Sequence, residues 1–228
     1  MHERHSSNNV EEYPMQFLKN IQEIRARARQ QIESGPVTKD YQLDRAQAIS
    51  ILNEALATEL VCVLRYKFHY FMATGIHSTA VAAEFRTHAQ EEQEHADRIA
   101  RRIRQLGGKP QMHPGVIAKA SHSEYQEGTS LADMLREDLV AERIAIETYR
   151  EIVNYFGEHD PTSRLMMEEI LAKEEEHADE LVNLLFAVEP HTGGSPQRLY
   201  FGDEVPGQSD AGQKVAQENH RNMAGKKR

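Results

Sequence analysis

Apolar residues recur at steps of three and four positions along four long stretches of this sequence, which is the spacing of a helix buried on one face. Glycine, proline and capping residues separate the stretches and set their limits. Ser130 and the pair Asp160-Pro161 are typical of the first residues of a helix. The predicted helices run from Asp44 to Thr74, from Ser78 to Gly107, from Ser130 to Gly157 and from Asp160 to Pro190.

The connections between these helices indicate how they are arranged. Short turns join the first helix to the second and the third to the fourth, so each pair is expected to be antiparallel. Residues 111–128 show no strong period, and a connection of this length in a compact bundle is expected to travel from one end to the other. No stretch predicts a strand. The predicted fold class is all-α, an antiparallel four-helix bundle with a long crossover between helices 2 and 3.

Polar segments flank the predicted bundle on both sides. A short helix is predicted from Met15 to about Glu33, where Ser34-Gly35-Pro36 ends it. Residues 191–228 are rich in Gly, Pro, Gln, Asn and Ser, which is typical of a mostly irregular tail. We therefore divide the chain into an N-terminal arm with a short helix, a bundle and a polar C-terminal tail, with bounds at 1–43, 44–189 and 190–228.

Length, charge and cysteine content narrow the classes of protein that fit. The 228 residues suffice for one sizeable domain with tails. A formal charge of −9 argues against general nucleic-acid binding and attracts cations. The single cysteine, Cys62, excludes an intrachain disulfide and a cysteine-based metal site, and it favours a reducing compartment. No apolar run approaches membrane-spanning length and no secretory segment is evident, so we expect a cytoplasmic protein without a membrane anchor.

One short motif occurs twice within the helical stretches. Glu92-Gln-Glu-His95-Ala-Asp and Glu174-Glu-Glu-His177-Ala-Asp each place a glutamate three residues before a histidine. Three residues are nearly one turn of an α-helix, so the carboxylate and the imidazole of each pair lie on one face and can bind the same ion. Two such pairs predict two metal ions.

A glutamate also interrupts the apolar stripe of each preceding helix, at Glu59 and at Glu142. An unpaired buried carboxylate costs several kcal/mol, and no Lys or Arg is expected on the same stripes nearby. The alternative is that both helices are rotated so that these acids reach solvent, which makes the two histidines incidental. Four Glu and two His converging inside a bundle are the ligand set of a carboxylate-bridged dinuclear metal centre.

The charge and chemistry of these ligands indicate which metals fit. Four carboxylates balance two divalent cations, and two neutral imidazoles complete a mixed oxygen and nitrogen shell. Such a shell suits iron or manganese better than a thiolate-seeking ion. Zinc can also occupy it, because geometry and availability decide which ion is bound.

Two tyrosines lie close to the predicted ligands along their helices. Tyr66 lies two turns after Glu59, and Tyr149 lies two turns after Glu142. Each hydroxyl therefore falls on the inward stripe near the ligand layer, where it can orient a carboxylate or supply an electron.

Other polar residues near the motifs have two interpretations each. Asp97 and Asp179 are candidates to hydrogen-bond the distal nitrogen of the other motif's imidazole, with a solvated surface acid as the equal alternative. His88 is predicted to be a hydrogen-bonded core histidine rather than an extra ligand or proton carrier. Cys62 is predicted to be a small buried hydrophobe rather than a redox-sensitive thiol. The acids expected on the solvated face, with feeding ions inward as the alternative, are Glu91, Glu94, Glu175 and Glu176.

These motifs resemble those of ferritin-like proteins, and most closely those of bacterioferritins and of Dps-like ferritins with a site inside each subunit. The resemblance covers about Asp44 to Glu189. The segments that carry it are Leu52-Asn-Glu-Ala-Leu-Ala-Thr-Glu59-Leu-Val, Glu92-x-x-His95-Ala-Asp-Arg-Ile, Leu106-Gly-Gly-Lys-Pro110, Asp138-Leu-Val-Ala-Glu142 and Met167-Glu-Glu-Ile-Leu-x-x-Glu174-x-x-His177.

The resemblance implies a diiron site and a function. It assigns two sets of three ligands. One iron is held by Glu59, Glu92 and His95, and the other by Glu142, Glu174 and His177. Some of these carboxylates are expected to bridge, and Tyr66 matches a tyrosine near that centre, which makes it the candidate catalytic residue. Members of the family oxidise Fe(II) with O2 or H2O2 and deposit ferric iron in a hollow shell. The expectation is therefore a ferroxidase for iron storage and detoxification, acting as a homo-oligomer with two irons per subunit.

Departures from the family pattern and rival functions complete the expectations. Gln93 stands where bacterioferritins carry the haem-binding methionine, so no haem is predicted. The terminal Gly225-Lys-Lys-Arg228 resembles basic DNA-binding tails, but three charges on an acidic protein are a weak signal and DNA binding is not expected.

A manganese catalase or a rubrerythrin-like peroxidase uses a similar ligand set, although the Cys-x-x-Cys module of rubrerythrin is missing. The third interpretation is a non-catalytic helical assembly protein.

Overall fold

The computed structural model describes residues 20–189, and residues 1–19 and 190–228 lie outside the described range. Within residues 20–189 the regular structure is entirely helical, which confirms the all-α prediction. A short 3-10 turn spans Ile32–Ser34. The α-helices are α1 (Ile21–Ala28), α2 (Arg45–Met72), α3 (Ser78–Gln105), α4 (Pro114–Ala120), α5 (Leu131–Phe156) and α6 (Pro161–Val188).

Side-chain caps begin the long helices where the sequence predicts them. Asp44 accepts hydrogen bonds from the backbone N–H groups of Ala46 and Gln47 at the start of α2. Ser130 and Asp160 each accept one from the backbone N–H three residues later. Each cap satisfies an N–H group that has no partner within the helix. The predicted starts of α2, α5 and α6 are therefore confirmed.

The N-terminal helix is shorter than predicted. It was expected to continue to about Glu33, but α1 ends at Ala28. Gln31 then adopts a left-handed backbone conformation with φ 52°, which an α-helix cannot contain. No side chain of α1 is buried, so tertiary packing does not compensate for the intrinsic instability of a short helix. The predicted part before residue 20 lies outside the described range.

The crossover contains a helix that the sequence did not predict. Pro114–Ala120 form α4, which His113 caps by accepting a hydrogen bond from the backbone of Gly115. Seven residues are two turns, too few to show a helical period in the sequence. The crossover is held against α2 by two side chains: Asn53 accepts from the backbone N–H of residue 111, and Thr58 accepts from that of residue 122.

The four long helices form an antiparallel bundle with a polar layer at its centre. Tyr66 of α2 contacts Glu142 of α5, and Tyr149 of α5 contacts Glu59 of α2, so these helices run in opposite directions. One apolar cluster, which includes Leu52, Ile99, Phe156 and Ile170, lies on one side of this layer. A second, which includes Phe85, Leu135 and Leu181, lies on the other. Buried polar side chains in the layer therefore have little access to water.

One described helix, α2, is long and apolar enough to cross a membrane by length and composition alone. Its most apolar 18-residue window has a mean hydropathy of 1.4, which is higher than we expected from the sequence. Of that window, 56% is buried inside the bundle. Burial on this scale is what the central helix of a packed bundle requires, so hydropathy alone is weak support for a membrane span.

Candidate metal centre

All six predicted ligands lie in the central layer of the bundle. Each comes from the middle of a long helix, where the backbone is fixed on both sides by complete helical turns. The exposed fractions are 1% for Glu59, 1% for Glu92, 5% for His95, 0% for Glu142, 1% for Glu174 and 0% for His177. The alternative of rotated helices with solvated acids is therefore wrong.

The ligand atoms form two overlapping groups. Glu59, Glu92, His95 and Glu174 bring one atom each within 4.8 Å of one another, and so do Glu92, Glu142, Glu174 and His177. Glu92 and Glu174 belong to both groups. The two glutamates of the repeated motif are therefore placed to bridge two positions, while Glu59 and Glu142 each reach only one.

Both imidazoles direct Nδ1 at this layer. Nδ1 of His95 lies 3.0 Å from a carboxylate oxygen of Glu174 and 3.4 Å from one of Glu59. Nδ1 of His177 lies 3.1 Å from an oxygen of Glu92. Each histidine is thus closest to a glutamate on another helix, and the two repeated motifs face each other across α3 and α6.

Despite these short separations, several of the ligand atoms have no hydrogen-bond partner. Among the described residues, one carboxylate oxygen of each glutamate and Nδ1 of each histidine is buried without a hydrogen-bond partner of acceptable geometry. An unpaired buried polar atom costs about 1–3 kcal/mol, and more when it is charged. Six such atoms converging on one small volume fit a bound cation pair better than a packed protein interior.

Burial and mutual repulsion perturb the carboxylates. Burial raises the pKa of Glu59 well above its usual value, and the charges of Glu92 and Glu174 raise it further. The pKa of Glu142 is raised for the same reasons. Burial alone would raise the pKa of Glu92 as well, but contacts with Glu59 and with both imidazoles outweigh it and lower the pKa. Without a metal, the layer is stabilised by protons on some acids and ionisation of others.

The surrounding carboxylates also raise the pKa of both histidines, against the effect of burial. Burial by itself would lower the pKa of His177, but Glu174 and Glu92 outweigh it and raise the pKa to about 12. The pKa of His95 is raised in the same way by Glu174 and Glu59. The glutamates around them therefore favour the protonated form of both imidazoles.

The two tyrosines bind carboxylates across the bundle, not on their own helices. Tyr66 donates a hydrogen bond to Glu142, and Tyr149 donates one to Glu59. Burial raises the pKa of both phenols, so they stay neutral and act as donors. Each tyrosine therefore fixes one of the two glutamates that reach a single position.

The distal nitrogen of His177 has a different partner from the one predicted. Nε2 of His177 lies 2.9 Å from Glu91, so the role expected of Asp97 is wrong. Asp97 is exposed and accepts from Gln93 of its own helix at 3.0 Å. Asp179 accepts from Asn183 at 3.3 Å, and its role toward His95 stays a prediction. Glu91 is not a fully solvated acid, because His177 and Lys173 of α6 contact its carboxylate.

A buried ion pair lies beside the centre, which the sequence interpretation missed. Arg65 is 1% exposed, although we expected no Arg on the inward stripe. Its Nε donates to Asp138 at 2.8 Å, and His69 contacts the second oxygen of Asp138 at 2.8 Å. Because Asp138 neutralises this arginine, the guanidinium does not balance Glu59 or Glu142. The signal in the sequence was Asp138, an acid one turn before Glu142 on an apolar stripe.

Two further predictions are confirmed by burial. His88 is completely buried and hydrogen-bonds Glu180 at 2.9 Å, as expected of a core histidine. Cys62 is 2% exposed, and burial raises the pKa of its thiol. The thiol lies 3.7 Å from the hydroxyl of Ser123. It therefore behaves as a small buried group at neutral pH.

Comparison with known proteins identifies the family. The pattern of the family described as a ferritin-like domain matches residues 49–189. A bacterioferritin of Rhodobacter capsulatus is 32% identical over 135 residues, which cover 59% of this chain and 80% of that protein. A ferritin-like, diiron-carboxylate protein of Bacillus anthracis is 25% identical, with a TM-score of 0.56 over 62% of this chain and 96% of that one.

A second solved structure is also similar in sequence. The dodecameric thioferritin of Bacteroides fragilis, a bacterioferritin-related protein, is 33% identical, with a TM-score of 0.64. The alignment covers 66% of this chain and 92% of that one. The family match spans more than half of the sequence and includes most of α2 and all of α3, α5 and α6. The chain therefore belongs to the ferritin-like domain family.

Proposed function

We propose that this protein stores and detoxifies iron, and that it oxidises Fe(II) at a dinuclear metal centre inside each subunit. The observation that carries the proposal is the convergence of six buried, unpartnered ligand atoms from α2, α3, α5 and α6. The names of the relatives support iron as the metal, since one is a bacterioferritin and another is a diiron-carboxylate protein.

The donor set fits two divalent ions in charge and in number. Glu59, Glu92 and His95 would hold one ion, and Glu142, Glu174 and His177 the other. Glu92 and Glu174 would bridge, because each belongs to both groups of atoms. Four carboxylates neutralise two divalent cations, and oxygen-rich ligation stabilises the ferric state. Manganese and zinc fit the same donors, so the choice of iron rests on the relatives.

Residues of the chain prepare this centre before a metal arrives. Tyr149 and Tyr66 hold the two single-position glutamates, and Glu91 holds the distal nitrogen of His177. Two Fe(II) ions held by these residues would together supply the two electrons that reduce one O2 molecule to peroxide or one H2O2 molecule to water. We propose that Tyr66 is the catalytic tyrosine, because it matches the tyrosine near the metal centre in the resemblance to ferritin-like proteins and its hydroxyl donates to Glu142. Its phenol can orient that carboxylate or donate an electron.

We further propose that the protein works as a homo-oligomer that forms a hollow shell. The support is the similarity to a protein described as dodecameric. A shell gives oxidised iron a place separate from bulk solvent. The mass of the native particle, measured by light scattering, tests this part of the proposal: a monomeric mass contradicts it.

The decisive experiment follows Fe(II) oxidation and the fate of the iron. Purified protein receives Fe(II) anaerobically and then either O2 or H2O2. The test variant is Glu59→Gln with Glu142→Gln, and the matched control is Glu54→Gln with Glu147→Gln, which changes the same charge at more exposed positions of the same two helices. We expect fast oxidation and retention of many irons per subunit in the wild type and the control, and loss of both in the test variant.

Other results identify the rival functions. Evolution of O2 from H2O2 without iron retention indicates a catalase, and peroxide reduction without retention indicates a peroxidase. Equal, slow oxidation by wild type and test variant indicates a non-catalytic assembly protein. Each of these results contradicts the proposed storage function.

A further inference from the structure

A buried cluster of three ionisable side chains lies about one helical turn from the dinuclear centre, where α2 meets α5. Arg65 donates from Nε to one oxygen of Asp138 at 2.8 Å, and Nδ1 of His69 lies 2.8 Å from the other oxygen. The side chains of Arg65, His69 and Asp138, which we call the charged cluster, are 1%, 0% and 0% exposed. Both oxygens of the carboxylate are therefore occupied within the cluster.

The charged cluster also binds the backbone of the crossover between α3 and α5. Nη1 of Arg65 donates to the carbonyl oxygen of Glu124 at 3.0 Å, and Nε2 of His69 lies 3.0 Å from that of Glu127. Arg65 and His69 are one turn apart on α2, so they hold two successive points of the crossover against the same helix. Three segments, α2, α5 and the crossover, therefore meet at one buried group.

The charged cluster is adjacent to the contact between Tyr66 and Glu142. Arg65 directly precedes Tyr66, and its guanidinium carbon lies 6.0 Å from the centroid of the Tyr66 ring. Asp138 lies four residues before Glu142 on α5. The Arg65–Asp138 ion pair and the Tyr66–Glu142 hydrogen bond are therefore neighbouring links between the same two helices. A shift of one helix along the other would change both links together.

The corresponding positions in the other half of the centre carry no charge. The two halves correspond because Glu59 and Tyr66 on α2 have the same spacing of seven residues as Glu142 and Tyr149 on α5. In this correspondence the three positions of the charged cluster are taken by uncharged residues, Ala55, Thr148 and Ile152. The charged cluster therefore distinguishes one metal position from the other.

Stability alone does not explain the charged cluster. Transfer of a charged group from water to the interior costs several kcal/mol, and replacement of a buried ion pair by apolar residues is often neutral or stabilising. The uncharged residues of the other half fill the equivalent space without this cost. The hydrogen bonds of the cluster are made at one register of α2 against α5, so the cluster fixes that register.

We propose that the charged cluster positions Tyr66 and Glu142, and that it thereby sets the affinity of one of the two metal positions. This inference rests on the proposed function, since it concerns the same centre. Without the cluster, α5 and the crossover are free to shift against α2, and Glu142 loses its fixed place in the ligand layer. The metal position that includes Glu59 keeps its own tyrosine, Tyr149, and is unaffected.

The test replaces the charged cluster by apolar residues, in the variant Arg65→Met with His69→Leu and Asp138→Leu. We expect this variant to fold, because the exchange leaves no buried charge behind. The probe is Co(II), which has the charge of Fe(II) and is not oxidised by air, and bound cobalt is measured by equilibrium dialysis of the full-length protein. The wild type should bind two ions. The variant should bind one ion as tightly as the wild type and the other about tenfold or more weakly.

Proteins with a single metal position show which ion is weakened. Glu59→Gln should leave the position of Glu142, and Glu142→Gln should leave that of Glu59. We expect the three cluster substitutions to weaken Co(II) binding about tenfold or more in the Glu59→Gln protein, and by less than about twofold in the Glu142→Gln protein. The reverse pattern, or equal weakening in both proteins, overturns the inference.

A smaller exchange has a matched control. Asp138→Asn should weaken the same ion, and it serves as the test variant if the triple substitution does not fold. Asp160 is also buried and bound to an arginine, Arg102, but it caps α6 about 21 Å along the helix from Glu174. Asp160→Asn should therefore reduce stability and leave both ions bound as in the wild type. Selective weakening of the same ion by Asp160→Asn would show that stability alone is responsible, which overturns the positioning role.

Failure of this inference differs from failure of the proposed function. Two ions bound equally tightly by the wild type and by the cluster variants overturn the positioning role and leave the dinuclear centre intact. Absence of bound cobalt from the wild type overturns both.

Discussion

Metal loading should release about four protons per subunit when two divalent ions enter the metal-free protein at pH 7. Burial and the neighbouring negative charges raise the pKa of Glu59 and of Glu142 well above the usual value, so we expect each carboxyl to hold a proton in the metal-free state. The neighbouring carboxylates raise the pKa of His95 and of His177, so each imidazole holds one as well. A metal must displace all four, because it needs carboxylate oxygens and free imidazole nitrogens.

The size of the release follows from charge balance in the central layer. With four protons bound, the four glutamates and two histidines carry no net charge. With two divalent ions bound and no proton, they are again neutral together with the metal. Exchange of four protons for two ions therefore avoids a net charge in the bundle, where an uncompensated ion costs several kcal/mol. For the same reason, metal affinity should rise steeply with pH.

An anaerobic titration in weak buffer measures this release directly. Co(II) is added in steps, and a pH-stat records the base needed to hold pH 7. Calorimetry in two buffers with different ionisation enthalpies gives an independent count. The variant Glu54→Gln with Glu147→Gln should release as many protons as the wild type. Release of one proton or fewer at full occupancy would show that the carboxylates are ionised and the imidazoles neutral before metal binds, which refutes the reasoning.

Three further predictions concern residues around the centre. Asp138→Asn leaves a buried guanidinium without its counter-ion, so the free energy of unfolding from urea titration should fall by about 3–5 kcal/mol, whereas the half-exposed Glu137→Gln should change little. Burial would raise the pKa of Asp160, but hydrogen bonds from neighbouring residues outweigh it and lower the pKa. The ionised carboxylate therefore stabilises the folded protein above about pH 4, and this contribution is lost as pH falls further. Thermal melts should therefore show a smaller loss between pH 5 and pH 3 in Asp160→Asn than in the wild type; equal losses contradict this. Tyr149→Phe frees Glu59 and should weaken Co(II) binding about tenfold in equilibrium dialysis, and unchanged affinity would mean that the helix alone positions the carboxylate.

The sequence predicted which six side chains meet in the central layer, because their signals are local. The spacing of Glu92 and His95 defines a shared face within one helix, and Glu59 stands out because its neighbours on the stripe are apolar. Helix starts were predictable for a similar reason, since a cap such as Asp44 acts on backbone atoms two or three residues away. Short-range geometry of this kind does not depend on how the helices pack.

The partners of these residues could not be predicted, because they depend on how the helices are rotated against one another. Glu91 lies one position before a ligand, and only the packing of α6 brings it to His177, 86 residues later. Arg65 and Asp138 are 73 residues apart, and either residue alone looks like a surface charge in the sequence. α4 was missed for a different reason, since two helical turns give too little period.

The antiparallel packing makes the two halves of the centre equivalent in some contacts and different in others. Tyr66 and Tyr149 each donate a hydrogen bond to the glutamate on the opposite helix, so Glu142 and Glu59 are held in the same way. The surroundings of the two histidines differ, because His177 is stacked on His88 and paired with Glu91. The two halves of the layer therefore share the way their carboxylates are held, but the imidazole of His177 is fixed by two more contacts than those that hold its carboxylate partners in place.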